Sequence, residues 1–209
     1  MGGEANIARD EAAASALTQR ADPGYVRIRF SAARMSERPL SRLERTQNAL
    51  ILTGFGQMMV RRFRRLRPGS RLRRLGYRNG VTLTLKSLLA RNRDGLACFY
   101  EPDAEIIVPP WPGLAERYTG PDGFMDFFEA WTESWDQVEL EITEVIDAGD
   151  VAIVFGWMHT RGGASGVATR QAYSAVFNYN ASRITRGEWF LSWEEGIDAA
   201  GLEGEPLPE

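Results

Sequence analysis

The chain has 209 residues, 44% of them apolar and 25% charged, a globular composition that excludes a disordered or fibrous protein. Its one cysteine, Cys98, excludes an intrachain disulfide framework and a multi-cysteine zinc site, and its one histidine, His159, excludes the paired-histidine zinc motifs. The net charge of −3 hides a division: residues 42–93 hold 14 basic groups and one acid, whereas residues 94–160 hold one base and 15 acids.

Residues 1–40 mix Ala, Gly, Pro and scattered charge without a sustained period. Val26, Ile28 and Phe30 are too few to define a strand, and the segment reads as disordered. Within it, Met35-Ser36-Glu37-Arg38-Pro39 has the form of a translational start. No secretory apolar run precedes it, and the longest mostly apolar stretch, 49–60, is too short to span a bilayer, so a cytoplasmic protein is expected. From Ser41 the pattern turns helical. Leu52, Phe55, Met59, Phe63 and Leu66 follow the three-and-four spacing of one apolar face, with Arg61, Arg62, Arg64 and Arg65 on the remainder. Pro68-Gly69 stops this basic amphipathic extension, 41–70, and Ser70 caps a second helix over 71–90. A short helix, 93–99, follows.

Pro102-Asp103 then introduces a strand over 104–108, and Pro109-Pro110-Trp111-Pro112-Gly113 is a loop that cannot enter a sheet interior. Gly120-Pro121-Asp122 opens a helix with Phe124, Phe127, Phe128, Trp131 and Trp135 along one face. Four strands are predicted after it, over 138–146, 151–161, 167–179 and 184–193. Their Gly-, Asn- and Asp-rich connectors are too short for parallel crossovers, so the four pair antiparallel. The plan is α+β: a domain over 71–202 with helices on one face of a curved antiparallel sheet, an N-terminal helical extension, and a tail at 203–209. A large aromatic helix across such a sheet leaves a conical pocket.

The order of elements, with the wording Phe99-Tyr100-Glu101-Pro102-Asp103-Ala104-Glu105, Tyr118-Thr119-Gly120-Pro121-Asp122-Gly123-Phe124, Ile146-Asp147-Ala148-Gly149-Asp150, Gly163-Ala164-Ser165-Gly166-Val167 and Glu194-Glu195-Gly196-Ile197-Asp198, resembles the SnoaL-like polyketide cyclase branch of the nuclear transport factor 2-like superfamily, which includes the ketosteroid isomerases. The resemblance covers roughly 71–202 and implies the conical fold, a small apolar ligand, no cofactor and a homodimer. The chain also departs from the pattern. Relatives often have Asn-Arg-x-Asp where it reads Leu89-Ala90-Arg91-Asn92, an Asp-Arg pair where it has Ser192-Trp193, and a histidine where Ala175 stands. Part of the polar pocket chemistry is therefore missing.

Enzymes of the superfamily place a carboxylate in an apolar cone, where desolvation raises its pKa and makes it a usable base. Glu188, in the last strand, and Glu105, before the Pro loop, are the candidates, against the alternative that each is an outward strand residue. Tyr173 is a candidate polarising hydrogen-bond donor, the alternative being core packing, and Phe124, Phe128 and Trp131 are candidate pocket walls. His159 reads as an outer-face or interface residue. Two classes stay open: a cofactor-independent isomerase or cyclase, and a non-catalytic ligand-binding or dimerisation module. The eight arginines within 61–74 are expected to pair with the acidic 94–160 stretch. Attachment to a membrane surface or a partner through 52–74, from Leu52 to Arg74, is the alternative, and nothing resembling aromatic interleaving supports nucleic acid.

Overall fold

A computed structural model describes residues 25–30, 34–162, 166–180, 183–202 and 206–208. Three helices lead in: α1 (Arg42–Leu52), α2 (Gly54–Arg65) and α3 (Arg71–Leu89). A short helix α4 (Arg93–Ala97) and the aromatic helix α5 (Gly120–Thr132) follow, and α6 (Trp193–Ala199) closes the fold. The strands are β1 (Val26–Arg29), β2 (Arg34–Ser36), β3 (Tyr100–Ile107), β4 (Arg117–Thr119), β5 (Trp135–Asp147), β6 (Val151–Gly162), β7 (Ala168–Asn180) and β8 (Arg183–Phe190). They form one sheet in the order β1-β5-β6-β7-β8-β3-β4, with β2 also on β5. The predicted strands β5 to β8 pair antiparallel as their connectors require, and β3 joins β8 in parallel. This is the expected α+β plan.

Three expectations change. The stretch 41–66 is not one helix: Thr53 is extended, its hydroxyl donating to Leu50 O and accepting from the Gly56 amide. Gly56 permits the turn, since a Cβ there would lie 2.0 Å from Leu50 O. Second, part of the segment expected to be disordered is sheet. β1 and β2 pair antiparallel with β5, and Ile28 is 2% exposed. Three or four residues suffice when a long neighbouring strand supplies every backbone partner, and a chain beginning at Met35 would lack β1. Residues 1–24 lie outside the described structure. Third, the aromatic helix ends at Thr132, so Trp135 starts β5, and Trp193 leaves β8 to begin α6, capped by Ser192.

The sheet has two buried faces. The concave face, with Val138, Leu140, Ile142, Val154, Ala175 and Phe177, packs on α3 and α5. On the convex face Ile146, Ile153, Phe155 and Val176 are covered by Ile197 of α6. Period-two alternation along β6 and β7 serves both cores at once.

The helical extension is fastened to the sheet by charge. Arg73, 5% exposed, forms a two-pronged ion pair with the fully buried Asp147, at 2.7 Å on each oxygen. Glu44, also buried, accepts from Arg38 (2.8 Å), Lys86 (2.8 Å) and the Ser41 amide (2.8 Å), closing the α1 capping box. The Arg38 hydrogen bond in particular holds its carboxyl well below the usual carboxylate range. A depressed folded-state pKa contributes stability above the unfolded value and loses it as pH falls. Glu44→Gln should therefore cost stability at neutral pH and flatten the loss of stability below about pH 5, as read by urea midpoints across pH.

Candidate ligand cavity

A cavity of about 760 Å³ lies between the concave sheet face and helices α1 to α3. β7 contributes every second residue to it: Tyr173, Ala175, Phe177 and Tyr179. Ile142 of β5, Val154 of β6, Ile184 and Trp189 of β8, Tyr100 of β3 and Phe124 of α5 complete the inner wall. The rings support one another: Tyr173 stacks on Trp189 (5.5 Å, 22° between planes), and Phe124 lies 5.5 Å from Trp189 and 5.7 Å from Tyr100. Such an aromatic wall suits a flat apolar molecule.

Among the described residues, the hydroxyls of Tyr100 and Tyr173 and the indole N–H of Trp189 are buried and have no hydrogen-bond partner. Leaving a donor unsatisfied in an apolar interior costs about 1–3 kcal/mol each, and all three belong to residues of the cavity wall. Burial pushes both tyrosine hydroxyls far above their ordinary pKa, with Tyr179 adding slightly at Tyr100 and Glu141 at Tyr173. Both therefore stay protonated at physiological pH.

At the helical end the cavity becomes polar. Arg64 sits 3.5 Å over the Tyr179 ring and donates to the Tyr77 hydroxyl at 3.2 Å, while its buried Nε has no partner. Burial raises the pKa of Tyr77 and of Tyr179. Cys98 is buried elsewhere, its thiol pushed up to about 11 by burial, which disfavours the thiolate at neutral pH. Among the described residues no three His, Cys, Asp or Glu side chains converge in a metal-ligating arrangement.

The candidates separate. Tyr173 and Phe124 line the cavity. Phe128 and Trp131 are buried outside its lining, in a ring cluster with Trp111 and Trp135 (Phe128–Trp131 5.9 Å, Trp111–Trp131 5.8 Å, Trp131–Trp135 6.5 Å). Glu188 and Glu105 are not wall residues. Both belong to a partly exposed charge cluster, Glu188 with Arg186 (2.8 Å) and Glu105 with Arg117 and Arg186. The reason is parity: Trp189 takes the inward position in β8 that a cavity-facing Glu188 would need. His159 bonds Glu141 at 2.9 Å and lies apart from the cavity lining. Tyr100 and Trp189 were missed as donors, since an indole or phenol inside a fold motif reads as packing. Ala175 also stands in the wall.

The family model described as a SnoaL-like domain matches residues 83–187, half of the chain. TerC, co-crystallised with polyporic acid, is 20% identical, with a TM-score of 0.49 over 57% of this chain and 96% of that one. A putative SnoaL-like polyketide cyclase from Jannaschia sp. CCS1 is 13% identical, with a TM-score of 0.47 over 61% and 92%. A ketosteroid isomerase-like protein from Catenulispora acidiphila, in complex with trimethylamine, is 15% identical, with a TM-score of 0.47 over 62% and 97%. No curated protein matches the chain. With its cone, its cavity and half its length matched by the family model, the chain belongs to the SnoaL-like domain family.

Proposed function

We propose that the protein binds a flat, mostly apolar small molecule bearing carbonyl or hydroxyl oxygens, without proton-transfer chemistry by a pocket carboxylate. The observation that carries this reading is an aromatic cavity three of whose wall residues, Tyr100, Tyr173 and Trp189, carry buried donors without a partner among the described residues. The volume, about 760 Å³, lies in the range of small-molecule sites. Against an isomerase or cyclase stands the place of Glu105 and Glu188, paired with arginines outside the wall. Glu44, the carboxylate that does line the cavity, is already bonded to Arg38 and Lys86 and held ionised as their counter-ion.

The test compares 9-fluorenone with fluorene, which differ by one carbonyl, in equilibrium dialysis. Fluorenone should bind about five- to tenfold more tightly, the worth of one hydrogen bond. Tyr173→Phe should erase most of that preference while leaving thermal stability unchanged or slightly raised, because its hydroxyl has no partner to lose. Equal binding of the two molecules by the wild-type protein, or binding of neither, sinks the reading.

A further inference from the structure

The basic block does not pair with the acidic stretch as charge balance suggested. Of the eight arginines in 61–74, Arg73 reaches an acid of 94–160, and Arg61, Arg62, Arg65, Arg71 and Arg74 form no ion pair with any described residue. The acids are engaged elsewhere: Glu144 with Arg27, Glu139 with Arg34, and Asp126 and Glu129 with Arg93. Residues 45–93 contain no Asp or Glu at all. The same helices hold seven of the nine exposed large apolar side chains of the described structure, among them Leu50 (55%), Met58 (47%), Leu72 (56%) and Leu75 (54%). Leu50, Met59 and Leu75 also line the cavity, so its mouth opens on this face.

We infer that the α1–α3 face docks on an anionic lipid bilayer, with the cavity mouth turned toward it. Exposed Leu and Met enter the boundary between headgroups and acyl chains while the arginines take lipid phosphates, a division of labour that needs both residue types on one face. A second copy of the chain fits poorly, because a two-fold interface would set the same unpaired arginines against each other. Nucleic acid would use the arginines and leave the leucines in water. No helix among the described residues is long and apolar enough to cross a membrane, so the attachment is peripheral. Resting on the cavity reading, the arrangement gives an apolar ligand a path from bilayer to cone that avoids bulk water.

Co-sedimentation of the full chain with phosphatidylcholine vesicles, with and without about 30 mol % phosphatidylserine, tests the docking. Partitioning should rise at least about tenfold with the anionic lipid and fall as salt is added. Arg61→Glu/Arg65→Glu/Arg71→Glu should abolish that gain, and Met58→Ser/Leu72→Ser should weaken binding at constant charge. None of these five residues lines the cavity, so fluorenone binding by the variants reports the cone separately and distinguishes failure of docking from failure of the ligand reading. Equal binding to neutral vesicles, an unimpaired triple variant, or retention on duplex DNA without vesicle binding overturns the inference.

Discussion

Arg73→Ala should lower the free energy of unfolding by about 3–5 kcal/mol, the cost of leaving a buried charge without its partner. Asp147 is fully buried, and its two oxygens take Arg73 Nε and Nη2 at 2.7 Å. The same guanidinium donates to the carbonyls of Leu66 (2.8 Å), Gly149 (2.8 Å) and Arg64, so truncation strands backbone acceptors as well. These carbonyls belong to the end of α2, the α2–α3 connection and the β5–β6 turn, so one side chain ties together three separate parts of the chain. Removing both charges together, in Arg73→Met/Asp147→Leu, should restore much of the loss, because desolvation of an ion pair offsets most of its attraction. Urea denaturation at neutral pH measures both variants. A single-variant cost under about 1 kcal/mol would mean that water reaches the pair.

Phe124→Ala should cost about 3–5 kcal/mol, as removal of a buried aromatic ring does. Phe124 is 1% exposed and is held by Tyr100, Trp189 and Phe127, the last at 6.4 Å in parallel stacking. These neighbours are large rings with their own contacts, Trp189 on Tyr173 and Phe127 on Trp111 and Tyr118, and they cannot collapse into the gap. The new void joins the existing cavity, so fluorenone affinity should fall about tenfold through lost contact area. Phe124→Leu, which keeps most of the volume, should cost less than half as much in both measurements. A cost below about 2 kcal/mol would show that the wall repacks.

The α+β plan, the antiparallel meander from β5 to β8 and the opening of α5 at Gly120-Pro121 were legible because each rests on local chemistry: period-two and three-four spacing, caps and short connectors. The short edge strands β1 and β2 were not, since their stability comes from the 13 residues of β5 rather than from their own composition. The Thr53 break was hidden because the apolar spacing of 52–66 continues across it. The site was half legible. Tyr173, expected as a donor, and Phe124, expected as a wall, are among the residues lining the cavity, while Glu188 and Glu105, whose face the spacing left open, lie outside the lining.

Sequence alone determined the family, the order of the elements and the separation of positive helices from an acidic sheet, all of which depend on residue type and spacing along the chain. Tertiary structure alone decided which side of β8 meets the cavity, because a one-residue change of register exchanges Glu188 for Trp189. It alone decided that Tyr100, Tyr173 and Trp189 lack partners, since satisfaction of a donor depends on atoms far away in sequence. The charge division followed the same rule. Arg73 found Asp147 across 74 residues, while Arg61, Arg62, Arg65, Arg71 and Arg74 have no ion partner among the described residues, because attraction falls with distance and only folding sets the distances.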